Sequence, residues 1–255
     1  MKLLLINPNI SESVSALIRA EAQRAAASDT QVEVLTAPFG VAYIETRFEA
    51  IIGAYAAAQL AAGHHERFDA VVLAAFGDPG LGGLREVLPI PVTGLTESAL
   101  ASAHLLGHRI SIIAVSQRIQ AWYREVVESY GFGARLASIR ALDRPVAVIG
   151  QVQEEHGNAL KALAERAVDE DGADVIVLAG APLAGLARAL EGQLPVPIVD
   201  GVSSAVRHAQ TLVALQPGKA RRGSFAPPPI KPHRGLPESI ARLLSTDFPR
   251  SPPLP

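Results

Sequence analysis

One pattern occurs twice in this chain. Residues 69–99 read DAVVLAAFGDPGLGGLREVLPIPVTGLTESA, and residues 174–205, starting 105 positions further on, read DVIVLAGAPLAGLARALEGQLPVPIVDGVSSA. Each copy holds an unbroken apolar run, a turn of small residues, a short helix, an Ile-Pro-Val or Val-Pro-Ile segment, and a second turn that opens another helix. Apolar runs without alternation suit strands covered on both faces. Strands separated by helices form parallel sheets through right-handed crossovers. The expectation is an α/β fold of two similar parallel-sheet half-domains related by a pseudo-twofold, with a cleft between them. Such sheets bind ligands beyond the carboxyl ends of their strands, so the turns after residues 75 and 180 are expected to line one site.

The remaining sequence extends the series. Residues 2–6 are a short apolar run stopped by Asn7-Pro8-Asn9, after which Val14, Leu17, Ile18, Ala22 and Ala25 recur at helical spacing. Strands are predicted at 31–36 and 70–75 around an Ala-rich helix at 48–62. A helix at 97–106 follows, then a strand at 109–115, a helix at 120–130, a strand near 136–139, a helix at 154–169 and a strand at 175–179. LLLINPN aligns with SIIAVSQ at an offset of 108, which sets Pro8 opposite Ser116 and Asn9 opposite Gln117. The division drawn from this places residues 1–100 with 206–216 in the first half-domain and 101–205 in the second. Residues 217–255 are a basic arm holding more than half of the prolines. Within it, Pro237 ahead of Ile240, Leu243 and Leu244 predicts one short amphipathic helix needing a partner surface, on the body or on a neighbouring subunit.

Composition removes several classes of function. An apolar fraction of 49% with 19% charged residues over 255 positions fits a compact enzyme. A net charge of −2, with few basic clusters and none with the aromatic interleaving of a nucleic-acid surface, gives no reason to expect nucleic acid. No apolar stretch has membrane-spanning or signal-peptide length, so the expected location is the cytoplasm. There is no cysteine, which removes disulfides, thiolate metal sites and thiol catalysis together. No Gly-rich phosphate motif appears, so no cofactor is expected. His104 and His108 have the spacing of a metal pair without an accompanying carboxylate pattern and read as surface residues, so no metal is expected.

INPNIS at 6–11, AFGDPGL at 75–81, PVTGLTE at 91–97, DGADVIVLAGA at 171–181 and PVPIVDGV at 195–202 together resemble the Asp/Glu racemase superfamily, within it the hydantoin and allantoin racemase branch. The resemblance spans about residues 1–215. It implies substrate bound between two α/β halves, with two cysteines on opposite faces of a carbon acid to remove and return a proton, an arrangement that inverts a centre without moving the substrate. Here those two positions fall at Ala75 and Gly180. What the resemblance then implies is a cofactor-independent enzyme, expected to be a homo-oligomer, acting on a small carboxylate or a hydantoin-like or lactam-like cyclic amide through an anionic intermediate with non-cysteine chemistry. A decarboxylase, lyase or hydrolase on the same scaffold, and an inactive small-anion-binding protein, are the alternatives.

The candidate residues follow. Asp78, three positions past Ala75, and Glu97, at the start of the helix after PVTGLT, are the carboxylates offered as bases; a turn residue before Pro79 and a first-turn helix acid are their structural readings. The backbone N–H groups of Phe76, Gly77 and Asp78, and that of Ala181 after Gly180, are expected to cradle an anion. Asn7, Asn9 and Ser11 are expected to bind substrate at the end of the first strand or to cap the following helix. Ser116 is their counterpart in the second half. Tyr43, with Glu45, borders the site by the resemblance. Asp200 reads as structural, and His208 is the one histidine whose neighbourhood points toward the cleft.

Overall fold

The computed structural model describes residues 1–144 and 146–245. The first half is β1 (Lys2–Asn7), α1 (Glu12–Ala25), β2 (Gln31–Thr36), α2 (Arg47–His64), β3 (Ala70–Leu73), α3 (Leu81–Val87), β4 (Val92–Gly94) and α4 (Leu95–His104). The second is β5 (Ile110–Ala114), α5 (Gln120–Ser129), β6 (Leu136–Ala141), α6 (Val152–Asp171), β7 (Val175–Leu178), α7 (Leu186–Ala189) and β8 (Ile198–Asp200), after which α8 (Gly201–Leu215) packs on α1, α4, β3 and β4 of the first. Each half carries a four-stranded parallel sheet, in the orders β2-β1-β3-β4 and β6-β5-β7-β8. The expected architecture of two similar parallel-sheet halves is what the structure has.

The repeat persists down to individual hydrogen bonds. Asp78 N–H donates to Ala75 O and Leu183 N–H to Gly180 O, at the same offset as the sequence copies. Gly80 and Gly185 then precede α3 and α7 with φ of 85° and 84°, a left-handed conformation that favours glycine. In both copies a tight turn thus reverses the chain between the buried third strand and a short helix.

One apolar cluster joins the halves. It contains Leu3, Leu5 and Val72 from the first sheet with Ile110, Ile112, Val175 and Val177 from the second, and Ala99, Ala103, Val202 and Ala205 on α4 and α8 between them. Each half also seats its third-strand turn on the first helix of the other. The segment after Gly180 packs on α1. Gly77 lies under Trp122 on α5, where an added Cβ would stand 2.5 Å from Cζ2, and the Phe76 ring centre is 4.8 Å from that of Tyr123.

A buried acid ties the two halves together at this junction. Glu21 on α1, 2% exposed, accepts from Arg188 and Ser203 of the second half and from Arg24 of its own helix. In the arm, Lys219 Nζ donates to the carbonyls of Arg85, Glu86 and Leu88 at the end of α3. The expected amphipathic helix is α9 (Glu238–Ser245); it packs on α2, with Leu243 against the cluster that holds Ala57 and Ala61. Its partner is therefore the body. Residues 246–255 of the predicted arm lie outside the described residues. Among the described residues no helix is long and apolar enough to cross a membrane.

Candidate active site

The cleft runs past the carboxyl ends of β1, β5 and β6. A cavity of ≈ 690 Å³ lies there, walled by Ser11, Tyr43, Glu45, Ser116 and Arg118 and by residues 142–144 and 146–149. Added at Gly150, just past that wall, a Cβ would stand 2.5 Å from Ser13 Cβ, so the chain there closes directly on the start of α1. Of the candidate residues, Ser11, Tyr43 and Ser116 line this cavity. Ala75, Phe76, Gly77, Asp78, Glu97, Gly180 and Ala181 are not among its walls.

The end of β1 is built by an asparagine. Asn7 Nδ2 donates to Asn9 Oδ1, Ser11 O and Ser15 Oγ, while its Oδ1 accepts from Asn9 N–H. Its side chain is consumed in holding the turn, so no donor is left for a ligand. Asn9 Oδ1 accepts from Ser11 N–H, but Asn9 Nδ2 has no acceptor among the described residues. Ser11 caps α1 through Val14 N–H. Ser116 likewise caps the turn that leads into α5, through Arg118 N–H.

The two third-strand turns hold fewer free donors than the sequence offers. Gly77 N–H donates to Thr96 Oγ1 at 2.6 Å, and Asp78 N–H to Ala75 O. Pro182 has no N–H to give. Phe76 and Ala181, 4% and 3% exposed, are left with N–H groups that meet no acceptor among the described residues. They are equivalent in the repeat and directly follow Ala75 and Gly180. Buried amides without an acceptor are rare in folded proteins.

Asp78 has a different position from that of a free base. Its carboxylate reaches across to the start of α4 and accepts from Thr96 N–H and Glu97 N–H, both at 2.9 Å, and from the Tyr130 hydroxyl of α5 at 2.9 Å. It is a helix cap supplied from another turn, and Gly94 leaves the room, since a Cβ there would stand 2.4 Å from Asp78 Cγ. Burial raises its pKa from 3.8 to about 6 against those three donors. Glu97 is held in a bidentate pair with Arg85, whose guanidinium also donates to Val92 O. Asp200 caps α8 through Ser203 N–H and also accepts from Gly185 N–H, the structural role expected of it. His208 faces Ser102 between α8 and α4 rather than the cleft. His104 rests edge-on against Phe132 and His108 meets Arg135, and the described residues contain no cluster of three or more potential metal ligands.

Three tyrosines gather behind the first turn. Burial pushes the Tyr43 and Tyr123 hydroxyls well above the ordinary range, and Glu45 adds to both. Tyr130 is raised by burial and by Asp78. All three are neutral donors at neutral pH. Tyr43 Oη is buried beside Tyr123 yet meets no partner at hydrogen-bonding geometry. Nothing in the sequence singles out Tyr123 and Tyr130; helix α5 also buries Trp122 and Val127, and the tyrosines read as part of that apolar face.

Fold and site together define a two-halved α/β enzyme architecture with paired turns and an inter-half cleft. The chain belongs to the Asp/Glu/hydantoin racemase family, whose pattern it matches over residues 3–209. It is 34% identical over 247 residues to a hydantoin racemase of Pseudomonas sp. (strain NS671), covering 96% of this chain and 99% of that one. The structure of allantoin racemase from Klebsiella pneumoniae superposes with a TM-score of 0.88 at 34% identity, covering 94% of this chain and 98% of that one. Arylmalonate decarboxylase shares the fold alone, with a TM-score of 0.61 at 18% identity over 88% of this chain and 97% of that one.

Proposed function

We propose that this chain is a cofactor-independent carbon-acid enzyme that binds a hydantoin-like cyclic amide or a small carboxylate and holds its anion between the two turns. The observation that carries this reading is the pair of equivalent amides, Phe76 N–H and Ala181 N–H, both left without an acceptor among the described residues. Donors fixed in advance and aimed at a developing oxyanion stabilise it without reorganisation. Asn9 Nδ2 is a further neutral donor without an acceptor among the described residues. The proton chemistry is not that of a thiol pair, because Ala75 and Gly180 carry no ionisable group. The same feature favours a second reaction on this scaffold: loss of a carboxylate or another leaving group gives the same anion and requires one protonation rather than two opposed transfers.

Ala181→Pro tests the reading. Residue 181 opens a 3-10 turn, where proline is accommodated, and Gly180 has a ψ of 144° that proline permits in its predecessor. The variant deletes one amide with little other change. It is expected to fold normally and to lose roughly 10²–10³-fold in turnover of 5-substituted hydantoins. Turnover equal to that of the parent would overturn the assignment.

We further read the protein as a homo-oligomer. Phe48, Ile51 and Tyr55 form one exposed stripe on α2, with Phe39 6.1 Å from the Tyr55 ring, and contiguous apolar surface of this kind marks contact sites.

A further inference from the structure

Once the bonded carboxylates are set aside, one acid stands at the cavity. Asp78 has three donors on its two oxygens, and Glu97 is closed by Arg85. Glu21 is bonded to Arg24, Arg188 and Ser203. Asp143, on the cavity wall, is paired with Arg144 in an 85% exposed position. Glu45 lines the cavity with no side-chain partner among the described residues. Its backbone is fixed: Glu45 N–H and Thr46 N–H both donate to Glu49 Oε2, completing a capping box at the start of α2. Ile44 beside it fits over Gly53, where any Cβ would meet Ile44 Cδ1 at 2.6 Å. The carboxylate is therefore held at the cavity by a rigid stretch of chain, as a positioned base must be.

Two buried tyrosine hydroxyls are its neighbours. Glu45 lies near enough to the Tyr43 and Tyr123 hydroxyls to disfavour ionisation of both. The Tyr123 ring packs on Phe76, whose amide has no acceptor among the described residues.

We propose that Glu45 is the proton-transferring residue that serves this site in place of a thiol, an inference that rests on the carbon-acid reading above. A Glu45 carboxylate oxygen takes the proton from the ring carbon, becoming the neutral acid. The electron pair of the broken C–H bond moves onto the adjacent carbonyl oxygen. The same carboxyl group, after exchange with solvent, returns a proton to that carbon. A single base on one face deuterates substrate with its configuration kept, whereas two opposed bases place solvent deuterium in the inverted product.

The test uses the full chain with L-5-methylhydantoin in deuterated water, followed by proton NMR and chiral chromatography. The parent is expected to deuterate C5 with retention. Glu45→Gln is expected to slow this by roughly 10²–10⁴-fold, with hydantoin binding by calorimetry unchanged. Formate is expected to restore exchange to Glu45→Ala, a rescue that a purely structural role would not give. Exchange at the parental rate in Glu45→Gln would overturn the inference and leave the carbon-acid reading standing. Loss of binding in Glu45→Gln would overturn it too, by assigning the residue to ligand contact. Absence of exchange in the parent would overturn both.

Discussion

Replacing Asp78 with asparagine isolates a quantity that the structure fixes. The carboxylate is 5% exposed, and burial lifts its pKa from 3.8 to about 6 even with three donors on it. The folded state therefore binds a proton that the unfolded chain releases throughout that interval. Stability contributed by this group is present in full below 3.8, falls as pH rises through the interval, and is lost above about 6. At about 1.36 kcal/mol per pH unit the whole change is about 3 kcal/mol, of which about 2 kcal/mol falls between pH 4.5 and 7.5. An asparagine side chain cannot ionise, so Asp78→Asn removes the dependence while keeping the shape of the side chain. Other carboxylates, among them Asp200 with its own raised pKa, are common to both proteins and cancel in the difference. Urea unfolding of the two proteins at several pH values is expected to show the parent losing about 2 kcal/mol relative to the variant from pH 4.5 to 7.5. A difference that stays constant, or one that moves in the parent's favour as pH rises, would refute the assignment of a buried carboxylate resisting ionisation.

Gly180 has φ of 107° and ψ of 144°, a region suited to glycine alone, so Gly180→Ala is expected to cost roughly 1–3 kcal/mol in thermal or urea unfolding. Ala75 is outside the left-handed region, so Ala75→Cys should fold at parental stability, while the double change with Gly180→Cys should not; equal stability of the single and double variants would show that the turn relaxes freely. Phe48→Glu with Ile51→Lys is expected to convert an oligomer to a monomer in sedimentation velocity. A parent that already sediments as a monomer would remove the α2 stripe from consideration.

The repeat makes the fold legible, because each copy encodes a strand, turn, helix and strand whose pairing is local. Less legible are contacts that cross between elements. Helix α4 starts at Leu95, two residues before the predicted 97, because its free amides are capped by Asp78 from a turn 17 residues upstream. Glu21 reads as a solvated position between the apolar residues of α1, yet the second half folds over it and supplies Arg188 and Ser203. Gly77 illustrates the same limit at the site: its N–H reads as free in a small-residue turn, and Thr96, near in space only, takes it. The equivalence of Phe76 and Ala181 is legible from sequence because the repeat alone marks it.

Leu5, Val72, Ile112 and Val177 belong to a common interior that crosses from one sheet to the other. Halves joined in this way do not part like jaws, since separation would bring those aliphatic chains into water. Any widening of the cavity is therefore confined to its rim, the residues around Tyr43 together with 142–144 and 146–149.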